Sequence, residues 1–505
     1  MLTAPWRSNP LIYEINAWTW LHSLRATSRD VLTLADIPAE TLDELAAWGY
    51  DAVWLMGVWE RSPAGRLQAL AHPGLLADYR RALPDFSAHD VIGSPFAVRR
   101  YAVDPHLGGP DALATLRARL AGRGIRLILD FVPNHVARDH DWLQSAPDCL
   151  LQGTGRDVAE HPETFFAGPE GRIFAHGRDP HFPPWTDTAQ VNAFNPVARE
   201  RLATTLLEIA GQCDGVRCDM AMLVTNEVFA RTWGDRAGPI PEAEFWETVI
   251  PAVKEQSPEF LFIAEVYWDM EGELLRQGFD YVYDKPLYDR LAEGAVRAVW
   301  DHLRADVNYQ QRTVRFIENH DELRAMEVFG APKGAAAATL VTTLPGATLL
   351  HEGQLAGHRV RLPVQLGRRP PEADDPQVLA FYRALLAEVR HPVYHEGAWQ
   401  LLETSPAWDL NATHRNLIAY AWRLGDERRL IVVNYAGASA QGRVRLAGYG
   451  LEGQTWTLRD ALSGNEYVRN GDEMAREGLY VDLPPWGIHL LRFECSQPRG
   501  QSSRS

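Results

Sequence analysis

The 505-residue chain is 46% hydrophobic and 23% charged, the composition of a globular protein able to bury a large core and long enough for more than one domain. Its formal net charge of −16 argues against nucleic acid or an anionic membrane surface as a partner, since both are met by basic patches, and favours a neutral small molecule or neutral polymer. No stretch approaches the roughly 18 uninterrupted apolar residues of a membrane span.

From the N-terminus, "MLTAPWRSNPLIYEINAW" has no basic segment followed by an apolar run, so no signal peptide is expected and a cytoplasmic location is. Short runs rich in Val, Ile, Leu and aromatics then recur: Leu11 to Trp18, Asp51 to Trp59, Ile125 to Val132, Asp214 to Ala221, Phe260 to Trp268, Phe279 to Asp284, Thr313 to Asp321 and Ala347 to Gly353. Segments of helical periodicity separate them, such as "ETLDELAAWGY" and "PDALATLRARLAGRG", each closed by a glycine stop signal. Near-continuous apolar strands alternating with helices predict a parallel sheet buried on both faces, and eight such units predict a closed (β/α)8 barrel. The barrel is expected over residues 1–135 and 195–390, interrupted at 136–194 by a Pro-, Gly- and His-rich loop domain. Short alternating strands with turn signals over 391–495 predict a C-terminal β-sandwich, and the polar residues 496–505 a disordered tail. Cys149, Cys213, Cys218 and Cys495 have no metal-like spacing and are expected as reduced core residues.

Catalytic groups of a barrel gather at the C-terminal ends of its strands, and four strand ends here carry unusual polarity. "ILDFVPNH" supplies Asp130, Asn134 and His135; "GVRCDMAML" supplies Arg217 and Asp219, which share one face of their strand. "FIAEVYW" supplies Glu265, whose apolar and aromatic neighbours predict burial and a raised pKa, as a general acid requires. "FIENHDELR" supplies Asn319, His320, Asp321 and Arg324. Carboxylates, histidines and arginine on one rim point to a glycosidase, two carboxyl groups serving as nucleophile and acid/base. Asp130 is expected to hold its loop rather than to react. Trp59, Trp268 and Phe96, at strand ends or loops, are candidate platforms under a sugar ring.

"DFVPNH", "GVRCDMAML", "FIAEVYW" and "FIENHD" resemble the four ordered signature regions of the α-amylase family, glycoside hydrolase family 13, and the resemblance spans about residues 9–353. It implies that Asp219 is the nucleophile, Glu265 the acid/base and Asp321 the residue that fixes sugar hydroxyls. It also implies that Arg217 keeps Asp219 ionised and that His135 and His320 bind hydroxyls of the reacting ring. Phe96 falls where the family usually stacks a tyrosine. No cofactor is implied for the chemistry. Calcium-binding members use the asparagine here numbered 134 together with an acid of the inserted segment; Gln190 stands at that acid's place, so a tight calcium site is not expected.

Met222 and Leu223 occupy positions where endo-amylases often carry a Lys-His pair, while "NHDELR" resembles exo-acting α-glucosidases, in which the arginine, here Arg324, closes the far end of a pocket. Its usual aspartate partner would fall near Gly93, with Asp90 close by. The expected substrate is a short α-linked gluco-oligosaccharide. A transglycosylase or sugar isomerase using the same intermediate, or a non-catalytic sugar-binding protein, are the alternatives.

Overall fold

The strands Leu11–Asn16 (β1), Ala52–Met56 (β2), Arg126–Phe131 (β3), Gly215–Cys218 (β4), Leu261–Ala264 (β5), Tyr281–Tyr283 (β6), Thr313–Arg315 (β7) and Ala347–His351 (β8) close a parallel barrel in the computed structural model, which describes residues 5–28, 30 and 32–496. Each strand hydrogen-bonds its sequence neighbours, and β8 returns to β1 with Leu11 opposite Thr348. Every residue of β2, β3, β4, β5 and β8 is buried, as strands covered on both faces must be. All eight lie within the apolar runs of the sequence.

Local signals set the helices between them. Asn16 ends β1 and caps helix Ala17–Thr27, its side chain accepting from the N–H groups of Trp18 and Thr19. Helix Ala39–Trp48 stops at Gly49, whose φ of 85° only glycine adopts at little cost. Asn195 caps helix Pro196–Ala210, which carries the chain back to β4.

Residues 135–194 hold short strands and short helices, among them Trp142–Ser145 and Gly155–Glu160. His135–Ala137 pairs with Thr188–Gln190, and three further strands form a small sheet around Ile173–Ala175. A second excursion, between β2 and β3, was not set apart by the sequence pattern. There Trp59–Arg61 pairs with Val98–Val103 across helices Pro63–Ala71 and Pro73–Ala82, which read locally like any barrel helix. Its small core of Tyr79, Leu83 and Val91 reaches Leu366, so the excursion packs on the segment that follows β8.

Beyond the helix Pro376–Val389 the chain forms two antiparallel sheets of six and three strands with a core between them. This unit docks on the barrel through buried groups: Trp422 Nε1 donates to the Thr343 carbonyl at 2.6 Å and Tyr435 Oη to the Leu291 carbonyl at 2.9 Å. Of the tail expected to be disordered, residues 497–505 lie outside the described residues, while Ser496 ends the last strand. Cys149, Cys213 and Cys218 are buried as expected; Cys495, one residue before the last strand ends at Ser496, is exposed. Among the described residues no helix is long and apolar enough to cross a membrane.

Candidate active site

Arg217 occupies the centre of the barrel mouth. Its side chain is 1% exposed and lies 5.3 Å from the Trp54 ring and 5.1 Å from the Phe96 ring. Nη1 meets Asp219 Oδ1 at 2.7 Å, Nη2 meets Glu265 Oε2 at 2.7 Å, and Asp130 Oδ1 stands 3.8 Å from Nη1. A buried cation of this kind persists only with carboxylates around it. The shared face of Arg217 and Asp219 therefore does look into a polar mouth. Met220, which follows, takes a left-handed φ of 43°, turning the chain so that its N–H donates to Glu265 Oε2 at 2.7 Å.

Glu265 also accepts from the Tyr267 hydroxyl on Oε1 at 2.9 Å. Burial nonetheless pushes its carboxyl up to about 7; Arg217 opposes the rise, and Asp219 and Asp321 add to it. Asp130 accepts from Trp54 Nε1 at 3.1 Å and from the Gly57 N–H at 3.3 Å, tying β3 to the end of β2, and burial raises it to about 6.

The last strand end bends at Asn319, whose Oδ1 accepts from the N–H groups of Asp321 and Glu322 at 2.9 and 3.0 Å. This turn leaves the Asp321 side chain 44% exposed at the mouth while His320 is buried. His320 Nε2 lies 3.1 Å from Asp321 Oδ2, and His320 Nδ1 lies 2.5 Å from Glu14 Oε1 on β1. Burial works against charge on the ring, but Asp321 and Glu14 outweigh it and lift its pKa well above the ordinary imidazole value. For Asp321 burial works upward, and His320 overrides it, holding the carboxyl well below the usual range.

Three strand ends thus place Asp219, Glu265 and Asp321 around one guanidinium and one imidazole. The sequence pattern described as "Alpha amylase, catalytic domain" matches residues 38–277, which contain Arg217, Asp219 and Glu265. Residues 38–277 of this barrel are thus similar to the α-amylase catalytic domain. The α-amylase MalA of Haloarcula japonica is 25% identical over 458 residues, 85% of this chain and 56% of its own length. An α-1,4-glucan:maltose-1-phosphate maltosyltransferase of Rhodospirillum rubrum is 25% identical over 463 residues, 87% of this chain and 60% of its own. The chain thus spans little more than half the length of these relatives. The crystal structure of a maltogenic α-amylase, AmyB of Thermotoga neapolitana, superposes with a TM-score of 0.65 at 20% identity, covering 96% of this chain and 98% of that one, a likeness of fold.

Within this site several expected residues lie at the barrel mouth. Phe96 lies 5.2 Å from the His320 ring, on the rim. His135 is buried beside Asn134 and 5.0 Å from the Trp185 ring, and burial lowers its pKa. Trp268 and Asp269, both left-handed at φ 63° and 58°, put an indole on the edge of a cleft of about 630 Å³. That cleft runs from Met220 and Tyr267 to Phe182 of the inserted segment and Lys285 beyond β6.

Two expected residues do not reach a substrate. Trp59 is 1% exposed; its Nε1 donates to the Asp130 carbonyl at 2.8 Å, so the ring is spent on the core beneath the mouth. Arg324 is buried too. Its Nη1 meets Glu318 Oε1 at 2.6 Å and the Glu352 carbonyl at 2.7 Å, and Nε donates to the Val360 carbonyl at 3.1 Å. It anchors the segment after β8 instead of closing a pocket, because Glu318, two residues before His320, offers it a nearer carboxylate than any on the β2 excursion. Asp90, near the place of its family partner, pairs with Arg368 at 2.6 Å.

The residues at the family's calcium position do not fit the cation. Gln190 Nε2 donates to Asn134 Oδ1 at 2.9 Å, to the Asn134 carbonyl at 2.7 Å and to the Val191 carbonyl at 3.0 Å. The oxygens a hard cation needs are already taken by an uncharged amide. Sequence reasoning missed Glu14 and Tyr267. Glu14 in "LIYEIN" is a carboxylate inside an otherwise apolar strand, a signal as plain as that of Arg217.

Proposed function

We propose that the chain is a retaining α-glycoside hydrolase acting on short α-linked gluco-oligosaccharides. The observation that carries this reading is the single guanidinium of Arg217 holding both Asp219 and Glu265 at 2.7 Å. Two carboxyl groups on adjacent nitrogens of one guanidinium approach closely, in keeping with the separation of about 5–5.5 Å used by retaining enzymes rather than the wider gap of about 6.5–9.5 Å that admits a water between them.

In this reading Glu265, protonated below about pH 7, gives its proton to the leaving oxygen as an Asp219 oxygen bonds to the anomeric carbon. Water then replaces Asp219 and returns a proton to Glu265. Asp321, held ionised by His320, grips sugar hydroxyls, with His135 and Phe96 beside the ring and Trp268 on the leaving side. Neither metal nor cofactor takes part, and Gln190 replaces calcium in joining Asn134 to the inserted segment.

Short substrates suit two features. Met222 and Leu223 are buried and offer no charged arm toward further sugars. The segment after β8 is pinned across the β2 excursion by Arg368 with Asp90, and by the Ile92 N–H donating to the Gln365 carbonyl at 2.8 Å, which walls one side of the mouth. Transfer to a second sugar is the alternative, favoured by the cleft beside Glu265 with Trp268 and Phe182 on its walls. The buried thiols of Cys149, Cys213 and Cys218 suit a reducing compartment such as the cytoplasm.

A proton NMR time course on maltose, maltopentaose and an end-blocked maltopentaose tests the reading. Expected are products released first as α-anomers, with the blocked substrate cut more slowly. β-Anomers appearing first would refute retention, equal cutting of blocked and free chains would refute exo action, and products longer than the substrate would select transfer.

A further inference from the structure

Glu14 sits at the middle of β1, fully buried, with Oε1 2.5 Å from His320 Nδ1 and Oε2 without a partner. The other ring nitrogen faces Asp321 Oδ2 at 3.1 Å. An ionised carboxylate only accepts hydrogen bonds, and a neutral imidazole has a single N–H. A neutral ring would therefore leave one of its nitrogens lone pair to lone pair with a carboxylate oxygen. Two N–H groups, an imidazolium, make both contacts attractive: a hydrogen bond to Glu14 at Nδ1 and a close ion pair with Asp321 at Nε2, whose geometry is not that of a hydrogen bond. The Trp54 ring, edge-on at 5.5 Å, and the Phe96 ring at 5.2 Å pack against the buried His320 ring.

We propose that Glu14 is a positioning residue that keeps His320 doubly protonated, so that His320 holds Asp321 ionised and aimed at the sugar. The consequence for catalysis rests on the reading of Asp321 as a sugar-binding carboxylate; the charge state of the ring does not. Other charges face this pair from every side: Asp130 on β3, Arg217 on β4, Glu265 after β5, and Arg361 of the segment after β8 facing Asp321. Asp130 and Glu265 are pushed toward their neutral forms by burial, and Arg217 is committed to Asp219 and Glu265 at 2.7 Å. Among the described residues Glu14 is thus the one carboxylate paired with His320 besides Asp321 itself.

Glu14→Gln keeps the shape and removes the charge. A glutamine amide can donate to Nδ1 while Nε2–H serves Asp321, so the variant satisfies a neutral ring. The test is 15N NMR of the full-length, histidine-labelled protein, with the His320 signals assigned by their loss in His320→Gln. Expected for the wild type is an imidazolium at His320 across pH 5–8, and for Glu14→Gln loss of one ring proton within that range. Activity on maltotriose follows: kcat/KM of the variant approaches wild type at the acidic end and falls about tenfold per pH unit above the new ionisation, through KM more than kcat. A neutral His320 in the wild type would overturn the proposal whether or not Glu14→Gln folds. So would an imidazolium that persists in Glu14→Gln, or a pH profile merely scaled down at every pH. Failure of the wild type to cleave any α-glucoside would refute the hydrolase reading while leaving the NMR result to decide the charge of the ring.

Discussion

Two corners of the barrel mouth use the same residue type in opposite ways. His135 and His320 are equally buried, each 4% exposed, and each follows an asparagine at a strand end. Around His320 the neighbours are ions: Glu14 and Asp321 on its two nitrogens, with Arg217 beyond the rings that cover it. Around His135 the hydrogen-bonding neighbours are amides, Asn134 beside the ring and then Gln190, which ties Asn134 to the inserted segment, with the Asp219 charge acting from further off. Burial accordingly wins at His135 and lowers its pKa, while charge wins at His320 and raises it. The difference teaches that desolvation is the constant and the neighbour is the variable, so one mouth shifts two equally buried imidazoles in opposite directions.

The largest expected effect comes from emptying the ionic corner. Glu265→Gln should lower kcat by about 10²–10⁴-fold on substrates with poor leaving groups, and Asp219→Asn by at least as much, without loss of fold by circular dichroism. Because the free acid sits at about 7, wild-type activity should fall as pH rises through that value, and Glu265→Gln should lose this alkaline limb. The same shift has a stability sign. Glu265 binds a proton more tightly folded than unfolded, so its contribution is full below about pH 4.5 and declines as pH climbs toward 7. A flat profile through pH 7 would remove Glu265 from the acid role.

Next in size is placing an ion in the amide corner. Gln190→Glu sets a buried carboxylate against the carbonyl oxygens of Asn134 and Val191 and Asn134 Oδ1, at a cost of several kcal/mol. Its Tm should fall well below wild type in chelator and recover with millimolar calcium, whereas the wild-type Tm should ignore both additions. An unchanged Tm for the variant in chelator would show that this corner tolerates charge and that the contrast is wrongly drawn.

The smallest effect tests neutrality directly. His135→Asn should raise KM several-fold with little change in kcat and no change in the shape of the pH profile above the ordinary imidazole value, since burial lowers the ring's pKa below it. A lost acidic limb in this variant would mean that His135 carries a proton in the working enzyme.

Much of the molecule was legible residue by residue. Strands such as "IRLILDFV" declare themselves because burial on both faces demands an unbroken apolar run, and glycine at position 49 ends its helix because the left-handed turn there requires it. Arg217 with Asp219 and Glu265 stood out for the same reason, as charges inside runs that physics would otherwise keep apolar. The excursion between β2 and β3 did not stand out, since its helices have ordinary periodicity. Trp59 and Arg324 were misjudged because a strand end says where a side chain starts and not what it meets.

The sequence by itself determined the barrel, the order of its strands and the three carboxylates at their ends, all of which follow from local hydrophobic period and local chemistry. The tertiary structure alone decided which groups are charged and what each one holds. Glu14 and His320 are 306 residues apart, and Gln190 and Asn134 are 56. A pKa or an ion pair is set by whatever stands within a few ångströms, and only the closed barrel brings those partners together.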